Sequence, residues 1–252
     1  MTVRELYAAL AARYPATLSA EWDNDGLMCT PDPDRAVTLV LCALDVTDAT
    51  VDEAIRIGAD VILSHHPLIF RPLAALTPCD AVARRALRLI GAGISVLSFH
   101  TRADAAVGGV NDLLCDALGI TARSPFGEGD IGRIGTLAEG MPAAAFAARV
   151  KAALGAPFVL LGDAERPVSR VAVVGGSGKS EIAAALAAGA DTLLSGRLSY
   201  ETVNEAREMG INLLEAGHFY TEALLPKHWA SVLPATLGVA AAYYDSCRID
   251  AV

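Results

Sequence analysis

Histidine is scarce in this chain, and it is concentrated. Four of its five histidines fall in three short segments: Ser64-His65-His66-Pro67, His100-Thr101-Arg102-Ala103-Asp104 and Gly217-His218-Phe219-Tyr220-Thr221-Glu222. Two segments share a His-x-x-x-acid spacing, His100 to Asp104 and His218 to Glu222. That spacing sets both groups on one face if the segment is helical. Imidazole nitrogen with carboxylate oxygen suits Zn, Fe, Mn or Co, and a shell without thiolate favours a catalytic site over a closed structural one. His65 and His66 follow the apolar run Val61 to Leu63 and precede Pro67, so they sit at a strand end, where α/β folds place their sites. Neighbouring side chains on an extended chain point opposite ways, so the pair can serve two metals, or one metal and a substrate. The bland alternative makes the histidines hydrogen-bonded core groups and the acids helix caps. All three segments together favour the metal. His228 stands alone and reads as structural or exposed.

Three other segments invite chemistry. Val173-Val174-Gly175-Gly176-Ser177-Gly178-Lys179-Ser180 resembles a phosphate-binding loop, but the pattern needs glycine where Val173 stands. A tight strand-to-helix turn bordering the site is the better reading. Glu21-Trp22-Asp23-Asn24-Asp25-Gly26 is turn chemistry, in which Trp22 is expected to pack and the acids to be solvated. Arg102 and Arg197 adjoin the motif residues and could hold an anion, although most such arginines are ordinary surface groups.

The elements that would carry these residues alternate. Apolar runs at Leu39–Leu44, Asp60–Leu63 and Ile94–Phe99 predict buried strands, with helices at Ala49–Ile57 and Ala81–Ile90 between them. The order recurs as strands at Val171–Val174, Thr192–Leu194 and Ile211–Leu214, with helices at Glu181–Ala188 and Tyr200–Glu208. Asp45 to Ser64 aligns without gaps on Gly176 to Ser195, sharing Gly-Ala-Asp, two residues, then Leu-Ser. The expected fold is α/β, with internally duplicated halves that share a dinuclear metal site. The first half is placed at 1–123 and the second at 168–252. Between them, 124–167 is a connecting unit with strands near Ile134–Leu137 and Phe158–Leu161 and a helix at Ala143–Leu154.

Composition narrows the function classes. A net charge of −9 argues against a general nucleic-acid binder, yet a local cation can still draw in a small anion. No apolar stretch is long enough to span a membrane; the uncharged run Ser231 to Tyr244 is too short and contains Pro234. The N-terminus, with Arg4, Glu5 and Arg13 among apolar residues, reads as an amphipathic helix and not a secretory signal. The five cysteines are odd in number, far apart and without a Cys-x-x-Cys pair, which fits free, mostly buried thiols and a cytoplasmic setting.

Taken in order, these segments resemble the Nif-three-like dinuclear-metal family, whose members are known as GTP cyclohydrolase 1 type 2 homologs. The resemblance covers nearly the whole chain. It runs from Trp22-Asp23-Asn24 with Gly26-Leu27 through Leu44-Asp45-Val46-Thr47, Ser64-His65-His66-Pro67-Leu68, His100-Thr101 with Asp104, and Gly108-Gly109-Val110-Asn111-Asp112. It ends with Gly175-Gly176-Ser177-Gly178 and Gly217-His218 with Thr221-Glu222. It implies a ring-shaped homohexamer and two divalent ions held by His65, His66, Asp104, His218 and Glu222, with His100 close by in a catalytic role. The chain departs from the family at Arg102, Gly196-Arg197 and Ser199-Tyr200, so substrate preference transfers less well than metal binding. Two divalent ions with two carboxylates leave the site net positive by roughly two charges, which suits an anionic small molecule. The implied function is a metal-dependent hydrolase acting on a nucleotide or other phosphorylated compound, of GTP cyclohydrolase type. The alternative is a non-enzymatic assembly protein that stores, delivers or senses metal.

Overall fold

The computed structural model describes residues 1–247. In chain order the regular elements are α1 (Val3–Arg13), β1 (Gly26–Cys29), β2 (Leu39–Ala43), α2 (Asp48–Ile57), β3 (Val61–Ser64), α3 (Ala81–Gly91), β4 (Ser95–Ser98), α4 (Thr101–Ala105), α5 (Val110–Leu118), β5 (Ile120–Phe126) and β6 (Gly132–Pro142). They continue as α6 (Ala143–Leu154), β7 (Leu160–Leu161), β8 (Pro167–Ser177), α7 (Ile182–Ala187), β9 (Thr192–Arg197), α8 (Tyr200–Met209), β10 (Asn212–Glu215), α9 (His218–Glu222), α10 (Leu224–Leu237) and β11 (Ala240–Tyr244). They form two compact units, one of Met1–Ala103 together with residues 225–247, the other of Asp104–Leu224.

The first unit carries a five-stranded sheet in the order β1-β4-β3-β2-β11. Only β1 is antiparallel; β11, β2, β3 and β4 run parallel. Strands buried on both faces need continuous apolar runs, which is why Leu39–Ala43 and Val61–Leu63 lack the alternation of a half-exposed strand. Leu41, Ile62 and Val96 of the sheet pack with Val51 of α2 and Leu89 of α3. Each fully buried aliphatic side chain of this kind contributes about 1.5–3 kcal/mol. Helix α1 begins in a capping box, with Thr2 and Glu5 satisfying each other's backbone N–H groups. Helix α3 begins at Asp80, whose carboxylate accepts from the Ala83 N–H.

The second unit carries a six-stranded sheet in the order β5-β6-β8-β9-β10-β7. Its centre, β8, β9 and β10, is parallel, and β5, β6 and β7 are antiparallel additions. The segment 124–167 supplies part of β5 and all of β6, α6 and β7 to this layer. Ala172, Leu193 and Leu213 of the sheet pack with Ile134 of β6 and Ala206 of α8.

The duplication is visible in hydrogen bonds. In the first unit the Asp60 N–H donates to Leu39 O while the Ser95 N–H donates to Asp60 O; in the second, Asp191 N–H donates to Arg170 O and Asn212 N–H to Asp191 O. The carboxylates repeat the pattern. Asp60 accepts from the Thr38 and Leu39 N–H groups, and Asp191 from those of Ser169 and Arg170. Each Gly-Ala-Asp therefore closes a helix and ties the next strand to the opening of the preceding one. Its glycine must be left-handed to do so, at φ +68° for Gly58 and +83° for Gly189. The fold is mixed α/β with duplicated halves, as the repeat predicts.

Candidate metal centre

In the first unit three consecutive parallel strands deliver the site. Asp45 follows β2, His65 and His66 follow β3, and His100 follows β4, all at the carboxyl ends. The ring nitrogens of His65, His66 and His100 offer donor atoms within 4.8 Å of one another. Ring centroids stand 5.1 Å apart for His65–His66, 5.2 Å for His65–His100 and 5.6 Å for His66–His100. Each Nδ1 is anchored by an acceptor. His65 Nδ1 meets the Phe99 carbonyl at 2.9 Å, His66 Nδ1 the Asp45 carboxylate at 2.8 Å, and His100 Nδ1 the Asp23 carboxylate at 2.9 Å. A carbonyl or ionised carboxylate only accepts, so the proton sits on Nδ1. In the neutral ring the lone pair is then on Nε2. This is how metal-ligating imidazoles are oriented.

Asp23 was expected in solvent, and it is not there: its side chain is fully enclosed. Burial raises its pKa, but hydrogen bonds from His100 and from the N–H and hydroxyl of Thr101 outweigh that and hold it at about 2. Asp25 is also enclosed, against Arg102 at 2.8 and 2.5 Å. Arg102 is thus neither a surface group nor an anion holder. It is 2 % exposed, lies 4.8 Å over the Phe99 ring and clamps the turn that carries Asp23. Trp22 corrects the same reading in the other direction, since it is 65 % exposed. Asp23 and Asp25 both have buried donors facing them, while Glu21 and the indole that precedes Asp23 are left outward.

In the second unit the corresponding carboxyl ends hold His218 and Glu222. His218 opens α9 directly after β10, and one helical turn brings its Nε2 to 3.0 Å from Glu222 Oε2. Carboxylate oxygens of Asp104 and Glu222 lie within 4.8 Å of each other. Asn111 joins their supports: its amide donates to the Asp104 carbonyl and its oxygen accepts from the Gly175 N–H. The glycine-rich turn after β8 is a floor for α9. The Gly176 N–H donates to Thr221 Oγ1, and a β-carbon on Gly176 would collide with the Glu222 carboxylate. The Gly178 N–H goes to Ser195 Oγ. With these amides occupied, the turn borders the site and is not a phosphate loop.

The residues expected at the metal centre fall in two groups. His65, His66 and His100 converge in one unit, and Asp104, His218 and Glu222 in the other. The equal His-x-x-x-acid spacings have different roles: His218 pairs with the acid of its own turn, whereas His100 takes Asp23 from 77 residues away. Sequence reading missed Asp23 and Asp45 as anchors. Their only signal was their place in the Trp22-Asp23-Asn24 and Leu44-Asp45 motifs. Cysteine plays no part. None is in a disulfide, and contrary to expectation only Cys42 and Cys115 are buried; burial pushes the Cys29 thiol up to about 11 and those of Cys42 and Cys115 to about 12. Among the described residues no helix is long and apolar enough to cross a membrane.

Comparison with known proteins gives the family and the fold. Residues 1–245 match the model of the family described as Duf34/NIF3 (NGG1p interacting factor 3). A Clostridium perfringens protein named GTP cyclohydrolase 1 type 2 homolog is 36 % identical over 215 residues, covering 82 % of each chain. A Streptomyces coelicolor protein of the same name is 36 % identical over 230 residues, covering 86 % of this chain and 80 % of its own. Among solved structures, a Bacillus cereus protein related to NIF3 superposes with a TM-score of 0.90 at 25 % identity, covering 100 % of this chain and 99 % of that one. The chain belongs to the Duf34/NIF3 family.

Proposed function

We propose that the protein is a metal-dependent hydrolase that holds two divalent ions through His65, His66, Asp104, His218 and Glu222, with His100 beside them, and acts on a nucleotide or other phosphorylated small molecule. The observation that carries the reading is the set of three imidazoles in one unit, each anchored through Nδ1, with donor atoms within 4.8 Å of one another. The donor chemistry fits divalent first-row ions, of which Zn, Fe, Mn and Co all accept mixed imidazole and carboxylate ligation. When bound, such ions supply Lewis-acid polarisation and an activated water for hydrolysis.

The chain's own residues do the rest. Asp23, Asp45 and the Phe99 carbonyl fix the tautomer and direction of the three rings. Asp104 and Glu222 bring like charges within 4.8 Å of each other, an arrangement that a cation relieves. Neutral imidazoles leave those two carboxylates as the ligand set's only charge, so the loaded site stays positive and draws an anion despite the acidic chain. Homologues named GTP cyclohydrolase 1 type 2 support a nucleotide as the first substrate to try. The family resemblance supports a homohexamer in the cytoplasm, with duplicated halves at 1–123 and 168–252 joined by 124–167.

The test is to load the protein with each metal in turn and assay GTP, other nucleotides and a generic phosphoester. Turnover that tracks metal occupancy, and falls with metal content in His65→Ala and Glu222→Ala, is the expected result. Metal binding without turnover under every metal leaves the non-enzymatic reading: a protein that stores, delivers or senses metal.

A further inference from the structure

An exposed aromatic rim stands beside the imidazole cluster and has no part in anchoring it. Trp22 is 65 % exposed and Phe70 43 % exposed. Their ring centroids lie 6.2 Å apart, and each is 6.2 Å from the His100 ring, edge-on in every case. Large aromatics at a surface cost solvation unless something covers them. These two are also held in place. Asp23, next to Trp22, is locked onto His100 and Thr101, and Asn24 donates to the carbonyl of Ile69, next to Phe70. The rings are therefore presented by two pinned turns. Beside Phe70 opens a cavity of about 530 Å³, within the range of small-molecule sites, whose wall includes His66, Arg71 and Arg85. Its two acids are engaged: Asp45 by His66 and Ser246, and Asp80 by the α3 cap. Arg85 is shared with Asp48. Arg71 is exposed and makes no ion pair or hydrogen bond among the described residues, so it is the cation left to meet an anion.

The geometry points to a ligand subsite in the first unit, where Trp22 and Phe70 take a planar heteroaromatic ring and Arg71 takes a phosphate in the adjoining cavity. The inference rests on the hydrolase reading and deepens it. It fixes the substrate class as a ring-bearing phosphate, as against a sugar phosphate or a simple phosphoester. Ring stacking tolerates many bases because each has a π face, whereas the arginine contact requires the anion. The subsite thus selects for both parts of the ligand and for neither alone.

The experiment titrates the full-length protein, metal-free and metal-loaded, with GMP, guanosine, ribose 5-phosphate and inorganic phosphate. The readout is tryptophan fluorescence, with isothermal calorimetry in parallel. Trp229 is 1 % exposed, with its indole N–H on Tyr14, so it serves as a silent background and Trp22 as the reporter. GMP is expected to quench and to bind about tenfold or more tighter than ribose 5-phosphate. Trp22→Leu and Phe70→Leu are each expected to lose about tenfold in GMP affinity with metal content unchanged. Arg71→Ala is expected to weaken GMP but not guanosine. Wild-type GMP affinity in the two aromatic variants, or equal binding of GMP and ribose 5-phosphate, overturns the subsite. So does a change of oligomeric state in those variants with binding intact, which makes the rim a contact between copies. Absence of any GMP binding also overturns it. The metal-dependent hydrolase itself stands or falls separately, on metal content and on phosphoester turnover.

Discussion

Asp23→Asn removes one charge, changes no shape, and separates an anchored imidazole from a merely nearby one. In the wild type, one Asp23 oxygen accepts from His100 Nδ1 at 2.9 Å, and the other from the Thr101 N–H at 3.0 Å and its hydroxyl at 2.6 Å. An asparagine has one acceptor for these two sides. If its oxygen faces Thr101, its NH2 faces His100. The ring must then accept at Nδ1, which moves its proton to Nε2 and spoils that atom as a ligand. Loss of an orienting partner of this kind costs about 10–100-fold in metal affinity, or about 1.4–2.7 kcal/mol. If the amide turns the other way, His100 keeps its acceptor and the enclosed Thr101 N–H loses one. That defect costs about 1–3 kcal/mol of folding stability. Competition with a calibrated chelator measures the first loss, and urea denaturation of the metal-free protein measures the second. The variant must show at least one. Wild-type metal affinity together with wild-type stability refutes the role assigned to Asp23, and His100 then stands near the centre without a part in it.

Other perturbations test separate parts of the structure. Arg102→Met strands the enclosed Asp25 and is expected to destabilise the chain by about 3–5 kcal/mol in urea, with much of that recovered in Arg102→Met/Asp25→Asn. Gly176→Ala meets the Glu222 carboxylate at φ +64° and should weaken both stability and metal binding. Gly58→Ala, at φ +68° with nothing near its β-carbon, should cost only about 1–2 kcal/mol of backbone strain and leave metal affinity unchanged. Burial raises the Asp60 pKa, but donors from Thr38 and Leu39 outweigh it and leave the carboxyl below its ordinary 3.8. Its stabilisation is therefore complete above that value and fades as pH falls through the lower folded one. Urea midpoints from pH 7 to 3 should fall less steeply for Asp60→Asn than for the wild type.

Much of the fold was legible because parallel strands buried on both faces leave unbroken apolar runs. Leu39–Leu44, with the helices at Ala49–Ile57 and Ala81–Ile90, fell within a residue or two of β2, α2 and α3. The strands that escaped notice lack that signature. β1 is four residues with one buried position, β5 is buried only at its two ends, and β11 is an alanine-rich segment that joins β2 after nearly two hundred residues of intervening chain. The histidines could be found because their type is rare and their positions follow apolar runs. Their anchors could not, since Asp23 and Asp45 lie 77 and 21 residues from the rings they hold, and no local period encodes such a pairing. The aromatic turn misled for a related reason. A tryptophan among acids reads as a buried ring among solvated charges, whereas donors at Thr101, His100 and Arg102 pull Asp23 and Asp25 inward and leave the ring outside.

The duplication explains where the site residues stand but not what they do there. In both units the chain arrives at the carboxyl end of a parallel strand and must turn. The first unit makes its turns with imidazoles held from behind by acceptors; the second makes them with glycines that let a carboxylate approach the backbone. Those are opposite solutions to one geometric problem, and they present different donor types: imidazole nitrogen in one unit, carboxylate oxygen with a single imidazole in the other. A repeat kept only for stability has no need of that division. Exchanging the donor types, with Glu222→His as the simplest case, should therefore change which metal is retained before it changes how well the chain folds. The metal retained and the urea midpoint, measured on the same variant, decide the point. A midpoint that falls with no change in the metal retained would return Glu222 to the role of a structural acid.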